Sequence, residues 1–151
     1  MTTIACTRDA MACDSRVTVG DVTHPGQKVW VAHGMIIGVC GEGRAMSSVL
    51  KWLLAGRPAV LPDPEKGAAG YLLLTTGGIF TCDETCFIEP VKRSFHAIGS
   101  GAGPAIAAMM CGKSASEAVQ IACDVDGNSG GPVRVYKLAD VKQPTTTKRK
   151  A

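Results

Sequence analysis

Long hydrophobic runs are absent from the sequence. No stretch reaches the roughly 18 consecutive apolar residues of a membrane-spanning helix, so we expect no membrane span. The first residues also lack the basic segment of a secretion signal, and Asp9 and Asp14 interrupt their apolar stretch. These absences predict a cytoplasmic protein.

Cysteine pairs at metal-binding spacing are missing too. Of the seven cysteines only Cys82 and Cys86 lie close together, in CDETC, and no second Cys or His pair completes a zinc site of about four ligands. We therefore predict no metal site. The number of cysteines is odd and most have apolar neighbours, so we interpret them as reduced, buried side chains.

Charge is scarce and nearly balanced. Charged residues make up 19% of the chain and hydrophobic residues 46%, which is typical of a globular domain, and the net charge is +3. Much of that charge lies in the C-terminal KQPTTTKRKA. We predict one domain over residues 1–140 and a solvated, disordered basic tail over residues 141–151, with no nucleic-acid partner.

Hydrophobic periodicity predicts a first group of strands followed by one helix. The first hairpin turns at Arg8-Asp9, between TTIACT and AMACDSRVTV, and a second turns at His33-Gly34, between QKVWVAH and MIIGVCG. A helix is predicted over residues 44–56, because one face collects its apolar side chains. Those side chains are Met46, Val49, Leu50, Leu53 and Leu54.

Beyond this helix, the proline-rich loop RPAVLPDPEKG leaves no room for another long helix before the next strands. A strand meander follows in GYLLLTT, GIFTCD and CFIEPV, and a short strand in FHAIGSG. Two helices are predicted in GPAIAAMMCG and SASEAVQIACDV, the second capped by Ser114 and Glu117, before a last strand in PVRVYKL. Separate groups of strands and helices indicate an α+β fold.

Four short motifs stand out along the chain: TTIAC, CDSRVT, HAIGSG and DGNSGGPVRVY, with a looser fifth in GVCGEG. Together they resemble the proteasome β-type subunits and the bacterial HslV peptidase, which are N-terminal-nucleophile hydrolases. The resemblance spans residues 2–138 and implies a four-layer αββα sandwich. RPAVLPDPEKGAAG largely replaces the long second helix that helps to build rings in this family, so one helical layer is expected to be reduced.

The Met-Thr-Thr start offers an unusual nucleophile if Met1 is removed. Thr2 then carries a hydroxyl and a free α-amine, whose reference pKa of about 7.7–8.0 lets it accept the hydroxyl proton near neutral pH. Without the other motifs, Thr2 is simply the first residue of a strand. The resemblance favours the catalytic interpretation and implies amide-bond hydrolysis through an acyl-enzyme on Thr2, with no cofactor required.

Other residues match the family's site by position. Lys28 would place a positive charge near Thr2 and lower the pKa of its hydroxyl and amine, and Asp14 would pair with Lys28. Strand alternation places Lys28 on one face with Trp30 and Ala32. The resemblance assigns the remaining catalytic roles to Gly41, the backbone donor to the oxyanion with Gly43 as its alternative, and to Ser100, Asp126 and Ser129, which orient the amine.

Substrate contacts and partners follow from the same resemblance. Thr18 would bind the extended substrate backbone, and Val17, Val39 and Gly43 would line an apolar specificity pocket. The resemblance implies a peptide or unfolded-protein substrate and allows an ATPase partner and a structural cation near residues 126–129. The apolar helix face without its usual neighbour predicts a homo-oligomer, with a ring as one form. A small-amide hydrolase and a catalytically silent binding homologue remain alternatives.

Overall fold

The structure, a computed structural model, describes residues 1–63 and 66–145. Two antiparallel sheets and a separate hairpin contain the strands of these residues. The four-stranded sheet consists of β1 (Thr3–Thr7), β2 (Ala10–Cys13), β10 (Phe95–Gly99) and β11 (Arg134–Lys137), in the order β10-β1-β2-β11. The five-stranded sheet follows chain order from β5 to β9: β5 (Val29–Ala32), β6 (Met35–Gly41), β7 (Ala69–Thr75), β8 (Gly78–Asp83) and β9 (Ile88–Pro90).

Three α-helices connect or flank these sheets in the described residues: α1 (Gly43–Leu54), α2 (Ala102–Met110) and α3 (Ala115–Val125). The predicted cap of α3 is confirmed. The Ser114 hydroxyl accepts a hydrogen bond from the Glu117 backbone N–H at 3.3 Å, and the Glu117 carboxylate accepts from the Ser114 N–H at 2.9 Å. These two bonds satisfy donors that the first helical turn leaves unpaired.

Apolar side chains pack in three clusters. One lies where α2 and α3 cover the four-stranded sheet and is rich in alanine, which lets the helices approach the strands closely. A second joins α1 to the five-stranded sheet, and a third combines residues of both sheets, such as Ile4 and Leu72. Leu53 of α1 is fully buried in the second cluster, so replacing it with alanine would cost about 2–5 kcal/mol.

The segment AMACDSRVTV is not one strand, contrary to the sequence prediction. β2 ends at Cys13, and a separate hairpin begins at Arg16 with β3 (Arg16–Val19) and β4 (Val22–Pro25). The chain leaves the sheet at Asp14, whose side chain is fully buried and accepts hydrogen bonds from several backbone N–H groups. Strand β4 was not predicted, because VTHP is short and entirely exposed.

A loop follows α1, as the sequence predicts. The helix ends before Gly56, which has a left-handed φ of 83°, and none of the described residues from 57–63 and 66–68 is helical. The indole N–H of Trp52 donates a hydrogen bond to the Pro58 carbonyl at 2.9 Å. Within the described ranges no helix has both the length and the apolar character needed to span a membrane. Residues 146–151 of the predicted tail and Met46 of the predicted apolar face lie outside what is described.

All seven cysteines are unpaired, but only three are buried. Burial raises the pKa of the Cys6 and Cys82 thiols to about 12, which keeps them protonated. Cys13 is the third buried thiol. Cys111 is exposed, so the expectation that all the cysteines are buried is wrong there, because the residue follows the last turn of α2 and faces solvent.

Candidate active site

The N-terminus is held in the middle of the four-stranded sheet. Strand β1 lies between β10 and β2, and its first residue, Thr3, is fully buried. The Thr3 N–H donates to the Asp14 carboxylate at 2.9 Å, and the Asp14 N–H donates to the Thr3 carbonyl at 3.1 Å. This reciprocal pair fixes the backbone beside Thr2, which is only 8% exposed.

Lys28 and Asp14 form a buried ion pair, with 2.8 Å between the Lys28 Nζ and the Asp14 Oδ1. The other carboxylate oxygen accepts from the backbone N–H of Gly130 at 3.0 Å and of Arg16 at 3.3 Å. With Thr3, the carboxylate thus has four donors. These hydrogen bonds offset the desolvation penalty of burying the charge pair.

The Lys28 ammonium also reaches the start of the chain. Its Nζ donates to the Met1 carbonyl at 3.1 Å, so the cation lies at the Met1–Thr2 peptide. Strand alternation does not explain this position, because Lys28 precedes β5 rather than belonging to it. Trp30 packs in the cluster under α1 while Val29 packs between the sheets, as alternation predicts, and the common face of Lys28 and Trp30 stays a prediction.

A second polar cluster lies on the other side of Thr2. The hydroxyls of Ser100 and Ser129 donate to the Asp126 carboxylate at 2.6 and 2.7 Å, and the Ser100 oxygen lies 3.4 Å from the Thr2 carbonyl oxygen. Desolvation raises the pKa of Asp126, but hydrogen bonds from Ser100, Ser129 and Asn128 outweigh it and lower the pKa to about 2. The carboxylate is therefore ionised at neutral pH and can only accept hydrogen bonds.

Thr3 connects the Lys28–Asp14 ion pair to the polar cluster of Ser100, Asp126 and Ser129. The sequence did not predict this connection. Its hydroxyl oxygen lies 2.6 Å from the Ser129 hydroxyl oxygen. Because Ser129 gives its single proton to Asp126, Thr3 is the donor in this contact. The second threonine of Met-Thr-Thr was the available signal, but a strand residue of this type is usually interpreted as a packing residue.

A cavity of about 530 Å³ opens beside Thr2. The ends of β6 and β10 and the start of β7 form its walls, and three predicted site residues line it: Thr2, Gly41 and Ser100. Gly41 has a φ of 122°, and Gly99 has a φ of 96° where β10 approaches the Thr2 carbonyl too closely for any side chain. These two glycines bring the walls close to the nucleophile.

The predicted specificity pocket needs correction. Val39 is 2% exposed and packs in the cluster beneath α1, so the prediction that it lines an open pocket is wrong. Because side chains alternate along β6, its neighbour Cys40 lines the cavity instead. Gly43 begins α1 and is not among the described lining residues.

Two further predicted contacts lie apart from the cavity. Val17 and Thr18 belong to β3 of the separate hairpin, where Thr18 is exposed, and neither is among the described lining residues. Their roles stay predictions. Glu42 and Ala68 line the cavity and were not selected from the sequence. In residues 1–63 and 66–145, no three His, Cys, Asp or Glu side chains come together as a metal site.

No protein-family model matches the chain, and no curated protein matches it. Solved structures do. HslV from Trypanosoma brucei is 21% identical, with a TM-score of 0.72 over 90% of this chain and 98% of that chain. Thiobacillus denitrificans BPH is 18% identical, with a TM-score of 0.68 over 90% and 97%. The Anbu (Gly-1) mutant from Hyphomicrobium sp. strain MC1 is 10% identical, with a TM-score of 0.66 over 91% and 81%.

At these identities the likeness concerns the fold. The sheets and three helices described above form a mixed α/β architecture, which is consistent with that of HslV over nearly the whole length of both chains. The sequence prediction is confirmed to that extent: this chain has an HslV-like fold of the proteasome type.

Proposed function

We propose that this protein is a threonine-type N-terminal-nucleophile hydrolase that cleaves peptide bonds after removal of Met1. The observation that carries the proposal is the position of Lys28. Its ammonium, fixed by Asp14 at 2.8 Å, contacts the carbonyl of the Met1–Thr2 peptide at 3.1 Å. A buried cation at the bond that frees the Thr2 amine is what this chemistry needs, since it favours the deprotonated forms of both nucleophile and base.

The proposed reaction has two steps. The Thr2 Oγ attacks the substrate carbonyl while the Thr2 amine takes the hydroxyl proton and passes it to the leaving amine, so the C–N bond breaks and an ester forms on Thr2. Water then attacks the ester. The amine takes the water proton and returns it to the Thr2 Oγ, and the peptide acid leaves. Gly41 is proposed to donate its N–H to the oxyanion in both steps.

Ser100, Asp126 and Ser129 are proposed to orient the Thr2 amine. Their support is the pair of short hydrogen bonds to Asp126 and the 3.4 Å separation of the Ser100 oxygen from the Thr2 carbonyl oxygen. In this proposal, removal of Met1 leaves the new amine within reach of an ionised carboxylate and two hydroxyls. The amine is then held in one rotamer, and no cofactor takes part. A structural cation near residues 126–129 belongs to the same proposal.

The layered packing supports the finer family assignment. The three apolar clusters join α2 and α3 to the four-stranded sheet, that sheet to the five-stranded sheet, and the five-stranded sheet to α1. We therefore assign the chain to the four-layer αββα sandwich with a single helix on one side. Peptides or unfolded proteins are the proposed substrates, and a homo-oligomer the proposed assembly. The alternative, a hydrolase restricted to small amides, would use the same mechanism and differ only in the substrates that enter the cavity.

Mass spectrometry and a covalent probe together test the proposal. We expect the purified protein to begin at Thr2 and to form a one-to-one adduct with a peptide epoxyketone, which needs a hydroxyl to add to its ketone and an amine to open its epoxide. Thr2→Ala should fold, lose the adduct and lose peptide hydrolysis, while Thr2→Ser keeps part of both.

Thr7→Ala is the matched control, because Thr7 lies on the same strand, away from the cavity. It should retain the adduct and the activity. Hydrolysis of small amides but not of peptides would select the restricted hydrolase. Retained Met1 with no adduct would select a silent homologue, and wild-type turnover in Thr2→Ala would exclude the mechanism.

A further inference from the structure

One wall of the cavity beside Thr2 contains an acidic side chain. Among the described residues that line the cavity, Glu42 is the sole Asp, Glu, Lys, Arg or His, and the Thr2 α-amine freed by removal of Met1 is the basic group beside it. Once Met1 is removed, the other lining residues have small side chains or none, namely glycine, alanine, serine, threonine and cysteine. A wall of small side chains leaves space for a long substrate side chain. The Glu42 carboxylate places a negative charge beside that space.

Backbone contacts hold Glu42 in place. It follows Gly41 at the end of β6, and its N–H donates to the Ala68 carbonyl at 3.1 Å, so it is tied across the cavity wall to the start of β7. Its carboxylate lies next to Gly67, the residue before the lining residue Ala68, since a Cβ added to Gly67 would be 2.7 Å from Oε2. Gly67 has a φ of 128°, so a side chain is disfavoured there and the carboxylate keeps its space.

The Glu42 carboxylate has no partner among the described residues. It forms no ion pair and no side-chain hydrogen bond there, and it does not cap α1, although it occupies the N-cap position. The nearby Lys28 ammonium does not neutralise Glu42, since it is paired with Asp14. Glu42 therefore offers a carboxylate that can attract an incoming cation into the cavity.

We infer that Glu42 makes this site select peptides with arginine or lysine beside the scissile bond, on its acyl side. The inference rests on the proposed function and replaces the apolar pocket that the sequence predicted. A guanidinium matches a carboxylate with two parallel hydrogen bonds, so arginine is preferred to lysine. Because the substrate removes water from the cavity as it binds, the pair gains strength over an exposed one.

The direct test compares two fluorogenic peptides that differ only in arginine or citrulline, its neutral isostere. We expect kcat/KM of the wild-type protein to be about tenfold or more higher for arginine, as for a charge-assisted hydrogen bond. Glu42→Gln should reduce that ratio to about twofold or less, and added salt should lower it in the wild type. Glu89→Gln, which changes an exposed carboxylate on β9, should keep the full ratio. Equal kcat/KM values in the wild type, or an unchanged ratio in Glu42→Gln, would overturn the inference.

A binding experiment separates this inference from the proposed function. Butylguanidinium and butylurea are titrated into Thr2→Ala by NMR, with and without Glu42→Gln. Binding of the guanidinium alone, lost in Glu42→Gln, supports the inference even if no variant hydrolyses peptides, in which case only the proposed function fails. If the protein hydrolyses peptides but butylguanidinium does not bind in a Glu42-dependent way, the proposed function stands and the inference is overturned.

Discussion

The hydroxyl oxygens of Thr3 and Ser129 lie 2.6 Å apart. This contact ties the residue next to the proposed nucleophile to the loop that also holds Asp126. Ser129 is 1% exposed and Thr3 is fully buried, so neither hydroxyl can turn to water if the other is removed. The position of Thr2 therefore depends on a loop more than a hundred residues away in the sequence.

Thr3→Val should destabilise the protein by about 1–3 kcal/mol, the usual cost of removing one partner of a buried hydrogen bond. Valine keeps the volume of threonine, so lost packing contributes little. Urea denaturation gives the free energy of unfolding. Thr7→Val is the control, because the Thr7 hydroxyl bonds to Asp9 at the exposed end of the same strand. Equal losses in the two variants would contradict a special role for the Thr3–Ser129 contact.

Lys28 and Asp14 should behave as a coupled pair. Each single variant, Lys28→Met or Asp14→Asn, leaves a buried charge without its partner and should cost about 3–5 kcal/mol. The double variant should be more stable than the sum of the two losses predicts, by about 0.5–3 kcal/mol. Denaturant unfolding of all four proteins measures this, and strict additivity would show that the ion pair is not formed. All three variants should lack peptide hydrolysis.

Low pH should reduce the contribution of Asp126 to the stability of the folded protein. Its folded-state pKa of about 2 is lower than the ordinary value of 3.8, so its hydrogen bonds stabilise the protein fully above the unfolded-state pKa and are lost as the pH falls from about 4 towards 2. Because the carboxylate is partly exposed, the effect should be small. Unfolding free energies of the wild type and Asp126→Asn, measured across this range, should converge at the acidic end. A difference that stays constant down to pH 2 would refute the expected linkage.

Local signals in the sequence predicted most of the fold. Helix α3 has a capping box, α1 has an apolar stripe and ends at a glycine, and His33-Gly34 forms the turn between β5 and β6 with both residues at positive φ. Each of these depends on neighbours within a few residues. The break after Cys13 depends instead on a buried carboxylate whose donors come from distant segments, and periodicity cannot reveal it.

The sequence predicted which residues gather near Thr2 but not how they are arranged. Resemblance selected Asp14, Lys28 and Asp126, and the structure brings all three around Thr2. The resemblance could not select Glu42, because an acidic residue at the start of a helix is normally interpreted as stabilising the positive end of the helix dipole. Val39 was wrongly assigned to the specificity pocket, because the sequence does not show which face of β6 packs against α1.

The surface formed by Trp52 and the loop residues Val60 and Leu61 is the proposed contact between subunits. The loop partly covers α1 through the Trp52–Pro58 hydrogen bond, but it exposes its own apolar side chains, since Val60 is 82% and Leu61 56% exposed. Leu53 of the same helix is fully buried against the five-stranded sheet, so changing it would unfold the protein rather than test an interface.

Leu61→Glu should therefore disrupt the assembly while leaving the fold intact, because a charge cannot be buried without a partner at an apolar contact. Light scattering at micromolar concentration measures the mass, and circular dichroism checks the fold. Val22→Glu is the matched control, since Val22 is 66% exposed on the β3–β4 hairpin. A wild-type mass of 15.7 kDa would show that the chain is a monomer and that the loop itself completes the cover of α1. Equal dissociation in both variants would place the interface elsewhere.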